Sequence, residues 1–240
     1  PLDRWTPARL IGESIHAGVA ARYAPPNRGE CCEVDIAQDT LDQGWPEGEE
    51  GKDAAWLTIK RCLKLALDLD ILQGGRVVAV EQEIGPERCR PDLVIEHDGA
   101  PPDLAWPPDN WLRVVDWKYR GSLQPEYVAR QLREYTHSWQ MWHYAWRVSQ
   151  EYHKLVISHE TVLIVGAPKA KVYTTETQVT PEQIERWAQG AQRVWDRMAT
   201  GETWMAMGNA CAMFGGCPFW GCWSWETPPE TMFKKKEPRQ

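Results

Sequence analysis

Two short segments of this sequence place acidic and basic side chains where they could act together. Asp92 is the second residue of the segment PDLVIEHD, and Asp116 and Lys118 lie near the end of WLRVVDWKY. Both segments are rich in β-branched residues and are bounded by Gly or Pro, which predicts β-strands. Strand residues two apart face the same side, so Asp116 and Lys118 project together. If the strands form a hairpin, the start of the first lies beside the end of the second, and the three side chains share one pocket.

Two carboxylates and an amine in one pocket could hydrolyse a phosphate ester with the help of a metal ion. With the backbone carbonyl of Trp117, the carboxylates form an oxygen-rich site suited to Mg²⁺ or Mn²⁺. The amine could orient or deprotonate a water and offset charge on the phosphate. Glu81 and Glu83, on the preceding strand, could support the metal from outside its ligand shell or form a solvated strand face. An exposed Asp–Lys pair at a strand end is common, so the pattern alone leaves the structural interpretation open.

The elements predicted around these residues form one α/β domain. Helices are predicted over 6–23, 53–73, 125–152 and 180–198, and strands over 76–84, 91–98, 111–119, 161–167 and 171–179. Pro, Gly and acidic residues predict that much of 24–52 is loop. This order predicts a mixed central β-sheet flanked by helices. The helix over 125–152 carries an apolar stripe that predicts a single core-facing side, formed by Val128, Leu132, Tyr135, Trp139, Trp142 and Trp146.

The bulk composition excludes several classes of protein. The 240 residues are 42% apolar and 25% charged, which favours a folded core over disorder. The formal net charge of −7 disfavours a protein that coats nucleic acid by electrostatics alone. No apolar run approaches the roughly 20 residues that span a bilayer, and the first residues lack the profile of a signal peptide. The sequence therefore predicts a cytoplasmic protein without a membrane partner.

Four features resemble the PD-(D/E)XK nuclease superfamily and occur in its order across about residues 10–222. PD at 91–92 and DWK at 116–118 resemble the motif that names it. Upstream, GESIHAGVAARY resembles the histidine motif of the RecB-like branch. Downstream, SWQMWHYAW resembles its Q-x-x-x-Y motif, and CAMFGGCPFWGC resembles the C-terminal cysteine cluster of iron–sulfur, Cas4-like members. The resemblance implies a restriction-endonuclease-like core and a metal-dependent deoxyribonuclease that hydrolyses phosphodiester bonds.

The resemblance also implies roles for individual residues. His16, Asp92 and Asp116 would hold Mg²⁺ or Mn²⁺ with the Trp117 carbonyl, and Lys118 would serve the attacking water. The implied substrate is DNA, as single strands or duplex ends, in recombination, repair or phage DNA metabolism. The implied activity is that of an exonuclease or end-processing enzyme, and a helicase or recombination protein is an implied partner.

Two segments fit the Q-x-x-x-Y motif. Gln140 and Tyr144 would shape the site and contact the substrate strand, and the text QMWHYAW around them is closer to the family pattern. Gln131 and Tyr135 have the same spacing. Gln131 lies nearer the apolar stripe of the predicted helix, so periodicity favours this second pair. We assign the motif to Gln140 and Tyr144 on the strength of the resemblance.

Three of the seven cysteines, Cys211, Cys217 and Cys222, lie close together near the C-terminal end. Thiolates at such spacing among Gly, Pro and aromatic residues are typical of a metal or cluster site, and the resemblance implies a [4Fe–4S] cluster. Its fourth ligand would be Cys31, Cys32 or a residue upstream of this sequence. A zinc site and free thiols are the alternatives.

These interpretations divide the chain into a nuclease core over 1–205, a cysteine cluster packed on the core over 206–226 and a flexible tail over 227–240. A rival function is a catalytically inactive DNA-binding or iron–sulfur subunit of a larger helicase–nuclease assembly. The fifteen tryptophans are expected to fill and cover the core. A surface that stacks unpaired bases or binds carbohydrate is the other interpretation of these rings.

Overall fold

The secondary structure is described for residues 6–24, 32–86, 88–99, 109–167 and 169–200 of the computed structural model. Three helices come first, namely α1 (Pro7–Tyr23), α2 (Glu33–Gly44) and α3 (Lys52–Leu67). The strands β1 (Arg76–Val80), β2 (Leu93–Asp98) and β3 (Asn110–Ser122) follow. The remaining elements are α4 (Pro125–Thr136), α5 (Trp139–Tyr152), β4 (Val156–Ala167), β5 (Lys171–Gln178) and α6 (Pro181–Ala199).

The five strands form one mixed sheet in the order β1-β2-β3-β4-β5. All neighbours are antiparallel except β3 and β4, which are parallel and are joined by the crossover through α4 and α5. Strand β4 is buried on both faces along most of its length, as expected of a strand between two neighbours under helices. Strand β5 alternates exposed and half-buried residues, as an edge strand does. The predicted mixed α/β sheet flanked by helices is therefore confirmed.

Alternate residues of β3 pack into two different hydrophobic cores. Val115 and Trp117 belong to a core shared with α1, α2 and α3. Leu112 and Val114 belong to a second core, which includes Met141 and other residues of α5. The sheet thus separates the first three helices from α5, and β3 contributes side chains to both sides because its side chains alternate.

The prediction of loop over 24–52 is wrong in part, because α2 forms between Glu33 and Gly44. Glu33 and Asp35 lie in its first turn, where negative charge favours the helix dipole. Its buried residues are Ala37 and Leu41, four positions apart on one side. This apolar stripe is too narrow to stand out from the surrounding acidic and glycine-rich sequence.

The predicted single helix over 125–152 is also wrong, because the structure has two helices. The backbone of Ser138 is extended, with φ −62° and ψ 128°, and α5 begins at the next residue. Tyr135, on α4, packs with Leu163 and Val165 of β4, whereas Met141 on α5 packs in the second core. The stripe from Val128 to Trp146 therefore belongs to two helices that pack in different places.

Glycine at position 18 allows α1 to approach its neighbours closely. A Cβ atom there would lie 2.8 Å from the backbone oxygen of Glu33 and 3.0 Å from Leu63. We expect Gly18→Ala to lower the free energy of unfolding by about 1–3 kcal/mol, because the backbone of α2 must shift. Urea denaturation measures this loss.

The matched control for this prediction is Gly12→Ala on the same helix. A Cβ atom at Gly12 would lie 3.5 Å from Tyr119, an ordinary contact. Alanine stabilises a helix relative to glycine by up to about 1 kcal/mol, so this variant should equal or exceed the wild-type stability. Equal urea midpoints for the two variants would contradict the packing explanation.

Candidate active site

The β2–β3 hairpin brings Asp92 beside Asp116, which lies in the middle of β3. Leu93 pairs with Val115 in antiparallel register, so Asp92 lies opposite Asp116. The Trp117 backbone N–H donates to Asp92 Oδ2 at 2.6 Å. Both carboxylates line one cavity. The hairpin geometry expected from the sequence is therefore present.

Lys118 connects Asp116 to helix α5. Its Nζ lies 2.7 Å from Asp116 Oδ2 and donates to Gln140 Oε1 at 2.8 Å. Gln140 Nε2 in turn lies 2.7 Å from the Tyr144 hydroxyl, to which it donates. Gln140 and Tyr144 are one helical turn apart, which places both on the side of α5 that faces β3. The four side chains form a continuous polar chain from the buried carboxylate into the helix.

The alternative glutamine and tyrosine lie elsewhere. Gln131 Nε2 donates to Glu134 Oε2 at 3.0 Å, within α4. Tyr135 is buried against Leu163 of β4. Neither residue lines the cavity that contains Asp92 and Asp116. The structure thus brings Gln140 and Tyr144, and not Gln131 and Tyr135, to Lys118.

Helix α1 and the end of β1 contribute two more candidate metal ligands. His16 Nδ1 lies 3.5 Å from Asp92 Oδ2. Glu81 immediately follows β1, and its N–H donates to the Asp92 carbonyl oxygen at 3.1 Å. One ligand atom from each of His16, Glu81 and Asp92 lies within 4.8 Å of the others. The sequence indicated His16 and Asp92, but it gave Glu81 at most an outer role.

Burial and crowded negative charge dominate the electrostatics of the site. Burial raises the pKa of Asp116 to about 7, and the charge of Asp92 adds to the rise against Lys118 and His16. Burial, and then Asp92, also raise the pKa of Glu81. Burial lowers the pKa of His16, but its contact with Asp92 and the nearby carboxylates outweigh burial, so the pKa is raised overall. Each of these shifts reflects carboxylates held close together in a poorly solvated place.

The donor set suits a divalent cation. Asp116 Oδ2 is buried, and among the described residues it accepts no hydrogen bond of good geometry, although Lys118 Nζ is 2.7 Å away. It therefore has a lone pair to offer. Carboxylate oxygens are the ligands that Mg²⁺ and Mn²⁺ prefer, and the imidazole of His16 extends the set to nitrogen. The residues present fit such an ion.

The cavity around these residues is large enough for a polymer strand. Its volume is about 1720 Å³, and it extends between α1, β1, the β1–β2 connection and α5. Arg9, Arg88 and Arg90 lie on its walls. The side chains of Arg88 and Arg90 are 78% and 60% exposed, so they are accessible to an anionic chain. The cavity walls thus carry basic groups beside acidic ones, in a protein that is acidic overall.

Several predictions fall on parts of the chain that the structure does not describe. Cys31, Cys211, Cys217 and Cys222 lie outside the described residues, as do segments 206–226 and 227–240. Cys32 is described, exposed and without a disulfide. Within the described ranges, no helix has both the length and the apolar character needed to cross a membrane.

The chain is similar to known proteins in sequence and in structure. The family model of the PD-(D/E)XK nuclease superfamily matches residues 2–222. The crystal structure of a candidate exonuclease from Eubacterium rectale is similar to this chain, with 11% sequence identity and a TM-score of 0.45. The alignment covers 87% of this chain and 73% of the exonuclease chain. The crystal structure of SSO0001 is similar as well, with 15% sequence identity and a TM-score of 0.25. That alignment covers 80% of this chain and 79% of the SSO0001 chain. No curated protein matches the chain.

Proposed function

Because the chain belongs to the PD-(D/E)XK nuclease superfamily, we propose that it is a metal-dependent deoxyribonuclease that processes single strands or duplex ends. The observation that carries this proposal is the meeting of Asp92, Asp116 and Lys118 at one end of the β2–β3 hairpin. Two carboxylates and an amine in a cleft that has arginines on its walls suit hydrolysis of a phosphodiester. Recombination, repair and phage DNA metabolism are the settings in which such an activity is used.

In this proposal Lys118 and the metal ligands have separate roles. Lys118 lies between the Asp116 carboxylate and the Gln140 amide, so its ammonium group is fixed in place. There it would orient the attacking water and offset the charge that develops on the phosphate. His16, Asp92 and Asp116 would hold the divalent ion. When bound, the ion neutralises the phosphate and lowers the pKa of a coordinated water.

The proposed function is tested with the full chain and end-labelled DNA. Single-stranded and duplex oligonucleotides are incubated with Mg²⁺, Mn²⁺ or EDTA, and the products are resolved on a denaturing gel. We expect cleavage with either metal and none in EDTA, and a ladder from one end would identify exonuclease polarity. Binding of DNA without cleavage under every metal condition would instead identify an inactive DNA-binding subunit.

We also include a structural [4Fe–4S] cluster on Cys211, Cys217 and Cys222 in the proposal. It is supported by the resemblance of CAMFGGCPFWGC to the cysteine cluster of iron–sulfur members. Iron and sulfide analysis of anaerobically purified protein tests it, together with absorbance in the visible range. Stoichiometric zinc, or no metal at all, would contradict it.

The contact between Gln140 and Lys118 leads to a separate prediction. We expect Gln140→Ala to lower the cleavage rate by about 10²-fold, because the ammonium loses its lateral partner and moves within the site. Gln131→Ala is the matched control, since Gln131 bonds only within α4 among the contacts described. Cleavage rates under saturating Mn²⁺ measure both variants. Equal rates for the two would show that Lys118 keeps its position without Gln140.

A further inference from the structure

The backbone at Glu81 turns out of the sheet next to Asp92. Its φ is +48°, in the left-handed region that non-glycine residues rarely adopt. The Glu81 N–H donates to the Asp92 carbonyl oxygen at 3.1 Å. The turn therefore fixes Glu81 beside the residue that precedes β2, on the neighbouring strand of the sheet.

The side chain of Glu81 lies with two predicted metal ligands. Its carboxylate, the Asp92 carboxylate and the His16 imidazole have ligand atoms within 4.8 Å of one another. Asp116, the other carboxylate of the proposed ligand set, lies outside this group of three and contacts Lys118. Two oxygens and one nitrogen at these separations match the donor types that bind Mn²⁺.

The basic partner of Glu81 does not block this role. Arg90 Nε lies 2.9 Å from Glu81 Oε2, and the Arg90 side chain is 60% exposed. Ion pairs of this kind contribute little because solvent screens them. Glu83, two residues further along, is 59% exposed and lies 4.0 Å from Arg88. Glu83 is outside the group around His16. Glu81 and Glu83 therefore carry the same charge but differ in their distance from the predicted ligands.

We propose that Glu81 is a direct ligand of the catalytic divalent cation, together with His16 and Asp92. This inference rests on the proposed metal-dependent function. It adds a ligand from the residue that follows β1 to the ligands carried by α1 and by the β2–β3 hairpin. In this arrangement Glu81 joins His16, Asp92 and Asp116, so the cation is held from α1, from the residue after β1 and from the β2–β3 hairpin.

The test is calorimetric titration of Mn²⁺ into the metal-stripped full chain, without DNA. We expect Glu81→Gln to weaken Mn²⁺ binding by at least about tenfold, since even partners that only support a ligand cost that much. Glu83→Gln makes the same change of charge and should bind like wild type. Arg90→Gln breaks the same ion pair without removing a ligand, so its affinity should be unchanged or higher.

Three results would overturn the assignment. They are wild-type affinity in Glu81→Gln, a loss in Arg90→Gln as large as that in Glu81→Gln, and absence of Mn²⁺ binding by the wild-type chain. If Glu81→Gln does not fold by circular dichroism, Glu81→Asp is titrated instead. It keeps the charge but shortens the reach, and it should also bind more weakly, with wild-type affinity again overturning the assignment. A wild-type chain that binds Mn²⁺ through Glu81 but cleaves no DNA would refute the nuclease proposal alone.

Discussion

Replacing Asp116 with Asn is expected to reduce the rate of DNA cleavage by about 10³-fold or more, the scale seen when one member of a catalytic unit is removed. Asp116 is 2% exposed as a side chain and pairs with Lys118 at 2.7 Å. The amide keeps the shape of the carboxylate but loses the charge that holds the ammonium group and attracts a cation. Single-turnover cleavage with saturating Mn²⁺ measures the loss.

The fold should survive this substitution. The Asp116 side chain is buried, so its ionised carboxylate is poorly solvated and its pKa is raised to about 7. A neutral amide avoids that cost. Asp98→Asn is the matched control, because Asp98 is the exposed last residue of β2 at the other end of the hairpin. It should cleave at the wild-type rate. A folded Asp116→Asn protein with wild-type activity would refute the proposed catalytic centre.

Breaking the buried ion pair between Arg113 and Glu160 is expected to cause the largest loss of stability. Arg113 is fully buried, and its Nη1 lies 3.2 Å from Glu160 Oε2. Its Nη2 donates to the Ile71 carbonyl oxygen. Glu160→Gln leaves the guanidinium charge without a counter-charge in the core, which should cost about 3–5 kcal/mol of unfolding free energy. Urea denaturation in EDTA measures it.

Two controls separate burial from charge in this prediction. Glu13→Gln removes the carboxylate of an exposed Arg–Glu pair, Arg9–Glu13, and should cost less than about 1 kcal/mol. The double variant Arg113→Met with Glu160→Leu replaces both charges with apolar side chains, and it should regain most of the stability. If Glu160→Gln and Glu13→Gln lost equal stability, the pair would contribute no more than a surface contact.

The hairpin that carries the proposed catalytic residues could be predicted from the sequence because its signals are local. Alternation of side chains along β2 and β3 assigns Asp116 and Lys118 to one face. An antiparallel hairpin then fixes Asp92 opposite them. Both inferences depend only on the strand period and on the antiparallel pairing of two consecutive strands, and the register of Leu93 with Val115 agrees with them.

Features that depend on distant contacts or on an unusual backbone could not be predicted. The position of Glu81 beside Asp92 requires a left-handed turn, which its sequence neighbours do not signal. Periodicity along one uninterrupted helix favoured Gln131, but the chain leaves the helical conformation at Ser138. The second helix therefore starts with a new phase, which turns Gln140 toward Lys118. Helix α2 was missed because only Ala37 and Leu41 are buried along it.

The division of β3 between two cores has a consequence for how this enzyme can change. Odd-numbered positions such as Val115 and Trp117 anchor the strand under the first three helices, whereas Asp116 and Lys118, the proposed reactive residues, alternate with them and leave the other face of the strand. Point substitutions can therefore alter reactivity and anchoring almost independently. Inserting or deleting a single residue upstream within the strand would exchange the two sets, burying reactive groups among aliphatic ones. We expect natural length variation near the site to be confined to the connections between strands.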